Sequence, residues 1–421
     1  VSLLPEPLRI AAFRYFWLAR LTTTIAQMAM VIVIGWQVYG IARQTMGLKE
    51  AAFQLGLIGV VQFIPLFALS LPAGWTADRI DRRYIGRAAV ALELFCAVLL
   101  GWLTWRQAIT LPWLFGIAAL LGVAGAFAMP AMQALAPNLV PRKILPRAIA
   151  LSSISWQVGA IAGPAFGGYL FALAPHAPYA ASAGLLAVSL LSLCMIGPTE
   201  RSEIDRTRHP LKQMIDGLHY VRRNRLVLGA LSLDLFAVLL GGATAMLPVY
   251  ARDILHSGPE GLGHLRAAPA VGATLAAAWF SFRPLKHEVG VKMLVAVGIF
   301  GAATVVFGFS RSMPLSLFSL AVLGAADMFS VYVRQSLVQL YTPDEMRGRV
   351  GSVSSVFIGA SNQLGEAESG FLAALIGPVA AVVGGGFAAI GVVFAWAWLF
   401  PELRRARTFA VAPQPITETI G

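Results

Sequence analysis

The chain has 421 residues, of which 58% are hydrophobic and 12% charged, with a formal net charge of +12 and a mean hydropathy of +0.73. A soluble domain carries about 25% charged residues, so this composition excludes an ordinary water-soluble fold and points to a polytopic helical membrane protein. Period-two alternation, the mark of outer-membrane barrel strands, is absent from the apolar runs.

Twelve spans of roughly 20 residues can be placed, near 12–40, 53–75, 86–106, 111–135, 147–173, 178–197, 226–250, 264–282, 291–310, 314–340, 350–376 and 379–400. Backbone polar groups must be satisfied internally in lipid, so all are read as helices. The basic, aromatic opening runs straight into the first span, which argues against a cleavable signal peptide. Cys96 and Cys194 fall inside spans and read as small buried hydrophobes, with no metal spacing.

The second and third spans are joined by Gly74-Trp75-Thr76-Ala77-Asp78-Arg79-Ile80-Asp81-Arg82-Arg83. Charge this dense cannot lie in hydrocarbon, so the stretch is a tight turn at a membrane surface. The longest break lies between spans six and seven. It divides the chain into an N-terminal six-helix bundle (1–197), a cytoplasmic linker (198–225) and a C-terminal six-helix bundle (226–421). Within the linker, Leu211, Met214, Ile215, Leu218 and Val221 recur at helical spacing, which predicts an amphipathic helix on the membrane surface.

Orientation follows from Lys and Arg. With the N-terminus in the cytoplasm, 24 of the 32 basic residues face the cytoplasm. Six lie outside (Arg43, Lys49, Arg106, Arg252, Arg266 and Arg311), and Arg20 and Arg334 lie within spans. The bias predicts both termini inside. The net positive charge then meets anionic lipid rather than nucleic acid.

The halves are related. Residues 132–173 aligned without gaps to 334–375 give 12 identities in 42, including Gln133/Gln335, Pro141/Pro343, Arg147/Arg349, Gly163/Gly365 and Gly168/Gly370. Internal repeats of this kind build many secondary transporters, with the substrate site between the halves.

Two motifs carry a family resemblance. Gly74-x-x-x-Asp78-Arg79-x-x-Arg82-Arg83 resembles the signature loop of the major facilitator superfamily, with Asp81 where a second glycine is usual. In the fifth span, Gly159-x-x-x-Gly163-Pro164-x-x-Gly167-Gly168 resembles the glycine-proline motif of that superfamily's antiporters, with Ala150 where a glycine should precede it. Further, Asp327, Arg334-Gln335, Thr342 to Val350 and Gly365-Glu366-Ala367-Glu368-Ser369-Gly370 resemble its enterobactin-exporting branch. The resemblance implies an all-α membrane protein of twelve transmembrane helices in two pseudo-symmetric six-helix bundles. It also implies alternating access and proton-coupled export of a siderophore-like metabolite from the bacterial cytoplasm, by a monomer without cofactor or metal. The alternatives are a broad drug/proton antiporter and a non-transporting sensor or scramblase. An enzyme is not expected. In the family the signature loop closes the cytoplasmic side, and Asp78 is the residue expected to do so here. For Arg82 and Arg83, gating and topology anchoring stay open. The fourth span, Leu114 to Met129, lacks the arginine that many proton-coupled members carry there.

Charges inside the spans are Arg20, Glu93, Asp234, Asp327, Arg334, Glu366 and Glu368. Such residues are costly in lipid and default to functional hypotheses. By the resemblance, spans 1, 4, 7 and 10 line a central cavity, so Arg20, Asp234 and Arg334 would face it. Asp327, seven residues before Arg334, lies on the same side. Asp234 is expected to pair with Arg20 or Arg334, either as a gate between halves or as a static pair within one. Glu366 and Glu368 replace Pro164 and Phe166 of the first repeat. A carboxylate in a dry cavity can bind and release a proton near neutral pH, so Glu366 or Asp327 is the expected proton carrier. Glu93 reads as a structural hydrogen-bonding group. Trp17, Trp36, Gln37, Tyr39, Gln62, Phe63, Phe127, Gln133, Trp156, Gln157, Phe236, Tyr250, Tyr332 and Gln363 offer the aromatic and amide contacts that a large, partly polar ligand needs.

Overall fold

The computed structural model describes residues 5–198, 210–283, 285 and 287–406. The first six helices are α1 (Ala11–Thr45), α2 (Leu48–Arg79), α3 (Arg82–Trp105), α4 (Leu111–Leu135), α5 (Leu145–Leu173) and α6 (Ala177–Cys194). A surface helix, α7 (Pro210–Arg223), precedes the second set. That set begins with α8 (Arg225–Leu240) and α9 (Leu247–Val249), followed by α10 (Pro259–Phe282), α11 (Val289–Phe309), α12 (Met313–Leu340), α13 (Asp344–Ile376) and α14 (Pro378–Leu399), and a short α15 (Pro401–Arg405) closes it. Among the described residues, ten helical segments are long and apolar enough to cross a membrane. The long helices α10 and α13, which carry Arg266, Glu366 and Glu368, occupy the places of the eighth and eleventh expected spans.

Each bound of the expected spans lies within about six residues of an observed helix end, save one feature. The seventh span is broken. After Leu240 the helix stops at Gly241-Gly242, passes through a 3-10 turn at Ala243–Met246, and resumes at Leu247 into a π-helical turn, Tyr250–Ile254. Gly241 lies against the Phe300 ring and Gly242 against Ser369 and the Gly365 carbonyl. Side chains at these positions would collide, and glycine also tolerates the irregular backbone.

Packing divides the helices into two sets. α1 lies against α5 and α6, α2 against α4, and α3 against α4 and α6, while α10, α11, α12 and α14 pack on one another around α8 and α13. Two seams join the sets, α2 with α13 and α5 with α10. Large apolar side chains such as Phe318, Phe394 and Trp398 point outward. Water would penalise that surface, but lipid does not. Without a hydrophobic drive between helices in lipid, close approach of small residues has to hold the seams together.

The bundle has two ends. One carries the turn at Gly47 and the α5–α6, α10-entry and Gly377 turns; the other carries the turn at Asp81. α7 is not free on a surface. Val221 is fully buried with Val227, Leu231, Val350 and Val353, and Asp216 pairs with Arg349 at 3.1 Å. Ile215 and Leu218 stay exposed, as a lipid-facing stripe requires. Arg201, Arg206 and Arg208 of the linker lie outside the described residues.

Candidate functional site

The Asp81 turn is built from its charges. α2 ends at Arg79 and Asp81 caps α3, accepting from the Arg83 backbone N–H at 3.0 Å. The same carboxylate takes the Arg83 guanidinium in a two-pronged pair, with Nη2–Oδ2 at 2.6 Å and Nε–Oδ1 at 3.1 Å. Arg83 also donates to the Ile196 carbonyl at 3.1 Å, and Arg87 to the Leu193 carbonyl at 3.0 Å. Two arginines therefore cap the end of α6, where carbonyls lack partners and cations are favoured. Asp81, standing where the family pattern has glycine, is what aims Arg83. Arg79 and Arg82 have partners of their own. The Asp78 side chain lies outside the described residues. A Cβ at Gly74 would meet open space.

The glycines of α5 face two neighbours. A Cβ on Gly159 would fall 2.6 Å from the Thr24 side chain, and one on Gly163 would fall 2.6 Å from Met28. Gly167 sits on Ala29, so these three at spacing four seat α5 on α1. Gly168 instead meets the Pro259 carbonyl of α10, and a Cβ on Gly263 would lie 2.7 Å from the Pro164 carbonyl. The other seam repeats this. Gly370, the repeat partner of Gly168, crosses Gly56 of α2, where a Cβ on Gly56 would lie 2.6 Å from the Gly370 Cα.

Further contacts fasten the Gly47 end. Tyr39 of α1 donates its hydroxyl to Asp253 of the π-helical turn, and Arg43 lies 3.5 Å from the same carboxylate. Lys49 of α2 donates to the Leu375 carbonyl at the end of α13 at 2.9 Å. Asp253 escaped the sequence reading, and nothing in a 214-residue separation signals this pairing.

Inside the second set, Asp234 of α8 pairs with Arg334 of α12. Both side chains are buried, so the within-half alternative describes the geometry. Arg20 sits on α1 with its Nε buried and unpartnered. Asp327 lies with Asp234 and Ser330 on a small cavity also lined by Ala237, Val297 and Phe300, roughly large enough for one water. The Ser330 hydroxyl is buried without a partner. Glu366 has its own cation, Arg266, at 3.7 Å. Arg266 lies two turns into α10. Glu368 leaves Oε2 buried and unpartnered. Glu93 is buried and accepts from Gln27 at 2.7 Å.

Several candidate ligand contacts have structural duties instead. The Trp17 ring N–H bonds the Leu151 carbonyl, Gln37 is tied to Tyr179 and Thr104, and Tyr250 bonds the Gly308 carbonyl. Gln157 spans the α5–α10 seam to Ala270 and Thr274. Gln363 keeps a buried, unpartnered Oε1.

The pattern of the Major Facilitator Superfamily matches residues 16–366. The chain belongs to the major facilitator superfamily. The superfamily consists of transporters, and this chain is accordingly a secondary transporter, not an enzyme. It is 25% identical over 416 residues to the enterobactin exporter EntS of Citrobacter koseri, covering 97% of this chain and 95% of that one. It is 25% identical over 405 residues to EntS of Escherichia coli O1:K1 / APEC, covering 94% and 93%. Among solved structures, a bacterial homolog of the human lysosomal transporter Spinster, inward-facing and occupied, superposes with TM-score 0.73 at 15% identity, covering 97% of this chain and all of that one. A D-xylose-proton symporter gives 0.69 at 13% identity, covering 93% and 96%. These low identities carry the fold alone.

Proposed function

We propose that this transporter exports a siderophore-like aromatic metabolite across the bacterial cytoplasmic membrane, driven by protons, with both termini in the cytoplasm. The observation that carries the reading is the full-length similarity to enterobactin exporters. The Lys/Arg bias supports the orientation, which makes the Gly47 end external. The fastened seams at that end then correspond to an inward-facing state. Gly74 to Arg79 form the last turns of α2 rather than a loop, and the open space at the Gly74 Cβ position fits a surface whose closing partner arrives only when the cytoplasmic side shuts, with Asp78 as the closing residue.

Asp327 is the proposed proton carrier. It shares a water-sized cavity with Asp234, whose charge Arg334 already neutralises. An unpaired carboxylate in that setting is the group that gains most from taking up a proton. The two six-helix bundles, 1–197 and 226–421, are the proposed rocking bodies, joined by the linker and resting on anionic lipid. The glycine seams seal the external side in this state.

The test is a deletion strain grown in iron limitation, with extracellular and retained small molecules compared by mass spectrometry. Retained siderophore with reduced secretion supports the reading. Unchanged secretion with heightened sensitivity to dyes or drugs rejects it in favour of broad drug efflux.

A further inference from the structure

The two ion pairs of the second set differ in kind. Arg334 and Asp234 are 4% and 7% exposed and sealed together. Arg266 and Glu366 are 26% and 28% exposed and stand 3.7 Å apart. A guanidinium has five N–H donors. Among the described residues, Arg266 has only that loose contact and a 3.4 Å hydrogen bond to the Thr244 carbonyl in the broken span. Most of its donor capacity is unspent.

Its position is central. Gly263, Arg266 and Ala270 lie on one face of α10 by their spacing of three and four. Gly263 meets Pro164 and Ala270 accepts from Gln157, so this face crosses α5. From there Arg266 reaches Glu366 on α13. A Cβ on Gly59 of α2 would lie 3.1 Å from the Glu366 Cβ and 2.9 Å from the Gln363 carbonyl. The Arg266–Glu366 pair thus stretches from one seam between the halves to the other, across the fastened end of the space between them. One turn from Glu366, the Gln363 Oε1 is buried with no donor.

We propose that Arg266 is the anion-recognising residue of the transport site. It takes the carboxylate of an aromatic substrate, in competition with Glu366, while Gln363 accepts a hydrogen bond from a substrate hydroxyl or amide. A planar fork of donors suits two-pronged binding of such oxygens. Glu366 holds the fork in place when the site is empty, and the long contact makes it displaceable. The proposal rests on the reading of the protein as an exporter of an aromatic metabolite.

The test uses full-length protein in nanodiscs and two probes of nearly equal shape, 2,3-dihydroxybenzoate and its neutral amide, with binding measured by calorimetry. The wild type is expected to favour the acid by about tenfold or more, the scale of a hydrogen bond to a charged group. Arg266→Gln should erase that preference while still binding the amide, which also shows that the variant is folded. Glu366→Gln should tighten the acid and leave the amide unchanged. Equal binding of acid and amide by the wild type, or a preference that survives Arg266→Gln, overturns the proposal. Binding of neither probe also overturns it, and enterobactin accumulation by the same preparation then reports separately whether the export reading stands.

Discussion

Gly56 of α2 and Gly370 of α13 cross backbone to backbone, leaving no room for a Cβ on either. Gly168 of α5 makes the corresponding crossing with α10 at Pro259 and Gly263. Two related crossings thus close one end of the molecule, one in each seam. Any side chain added here must separate the halves at that end. Gly370→Val is expected to disfavour the closed arrangement by about 1–3 kcal/mol, the usual penalty for overpacking. Spin labels on the Gly47 end of α2 and the Gly377 end of α13 should show the longer distance gaining population. An unchanged distribution would mean that the crossing does not hold that end shut.

Tyr39 and Asp253 supply the polar fastening. Removing the hydroxyl with Tyr39→Phe leaves a partly buried carboxylate with only the more distant Arg43, at a cost of about 1–3 kcal/mol. The same labels should report a shift in the same direction. A Tyr39→Phe/Asp253→Asn double variant should add little to either single change if the two groups act as one unit.

Asp234 and Arg334 form a buried pair, and removing one partner strands the other. Asp234→Asn is expected to destabilise the protein by about 3–5 kcal/mol, read as a lowered melting temperature in detergent. Exchanging the pair, Asp234→Arg with Arg334→Asp, should restore folding, whereas Asp234→Arg with Arg20→Asp should not. Rescue through Arg20 would instead favour a pair between the halves.

Asp81 and Gly74 separate stability from turnover. Asp81→Ala removes the cap of α3 and the brace on Arg83, and is expected to cost about 1–2 kcal/mol of thermal stability. Gly74→Ala meets no neighbour in this state. It should leave the melting temperature unchanged or slightly raised, since alanine favours a helix interior over glycine, yet slow transport, if this end of α2 closes against the other half during the cycle. Equal transport by Gly74→Ala would remove the structural argument for that closure.

The spans were legible because lipid permits so little else. A backbone that cannot bond water must be helical, and long apolar runs announce themselves. The broken seventh span was not visible, since Gly241-Gly242 and Pro248 interrupt a stretch that stays apolar throughout. The acids were legible as costly residues, but their partners were not. Asp234 and Arg334 lie 100 positions apart, and only the fold decides between Arg334 and Arg20. Asp81 looked like a departure from a pattern, and its worth emerges only from the arginine it aims at the end of α6.

Proton-driven export with Asp327 as the proposed carrier can be followed in proteoliposomes holding the protein with its cytoplasmic side outward, loaded to an acidic lumen, with enterobactin supplied outside. Accumulation that a protonophore abolishes is expected, together with an Asp327→Asn variant that still exchanges substrate but ignores the gradient. Accumulation by Asp327→Asn with full wild-type response to the pH gradient would contradict Asp327 as the carrier.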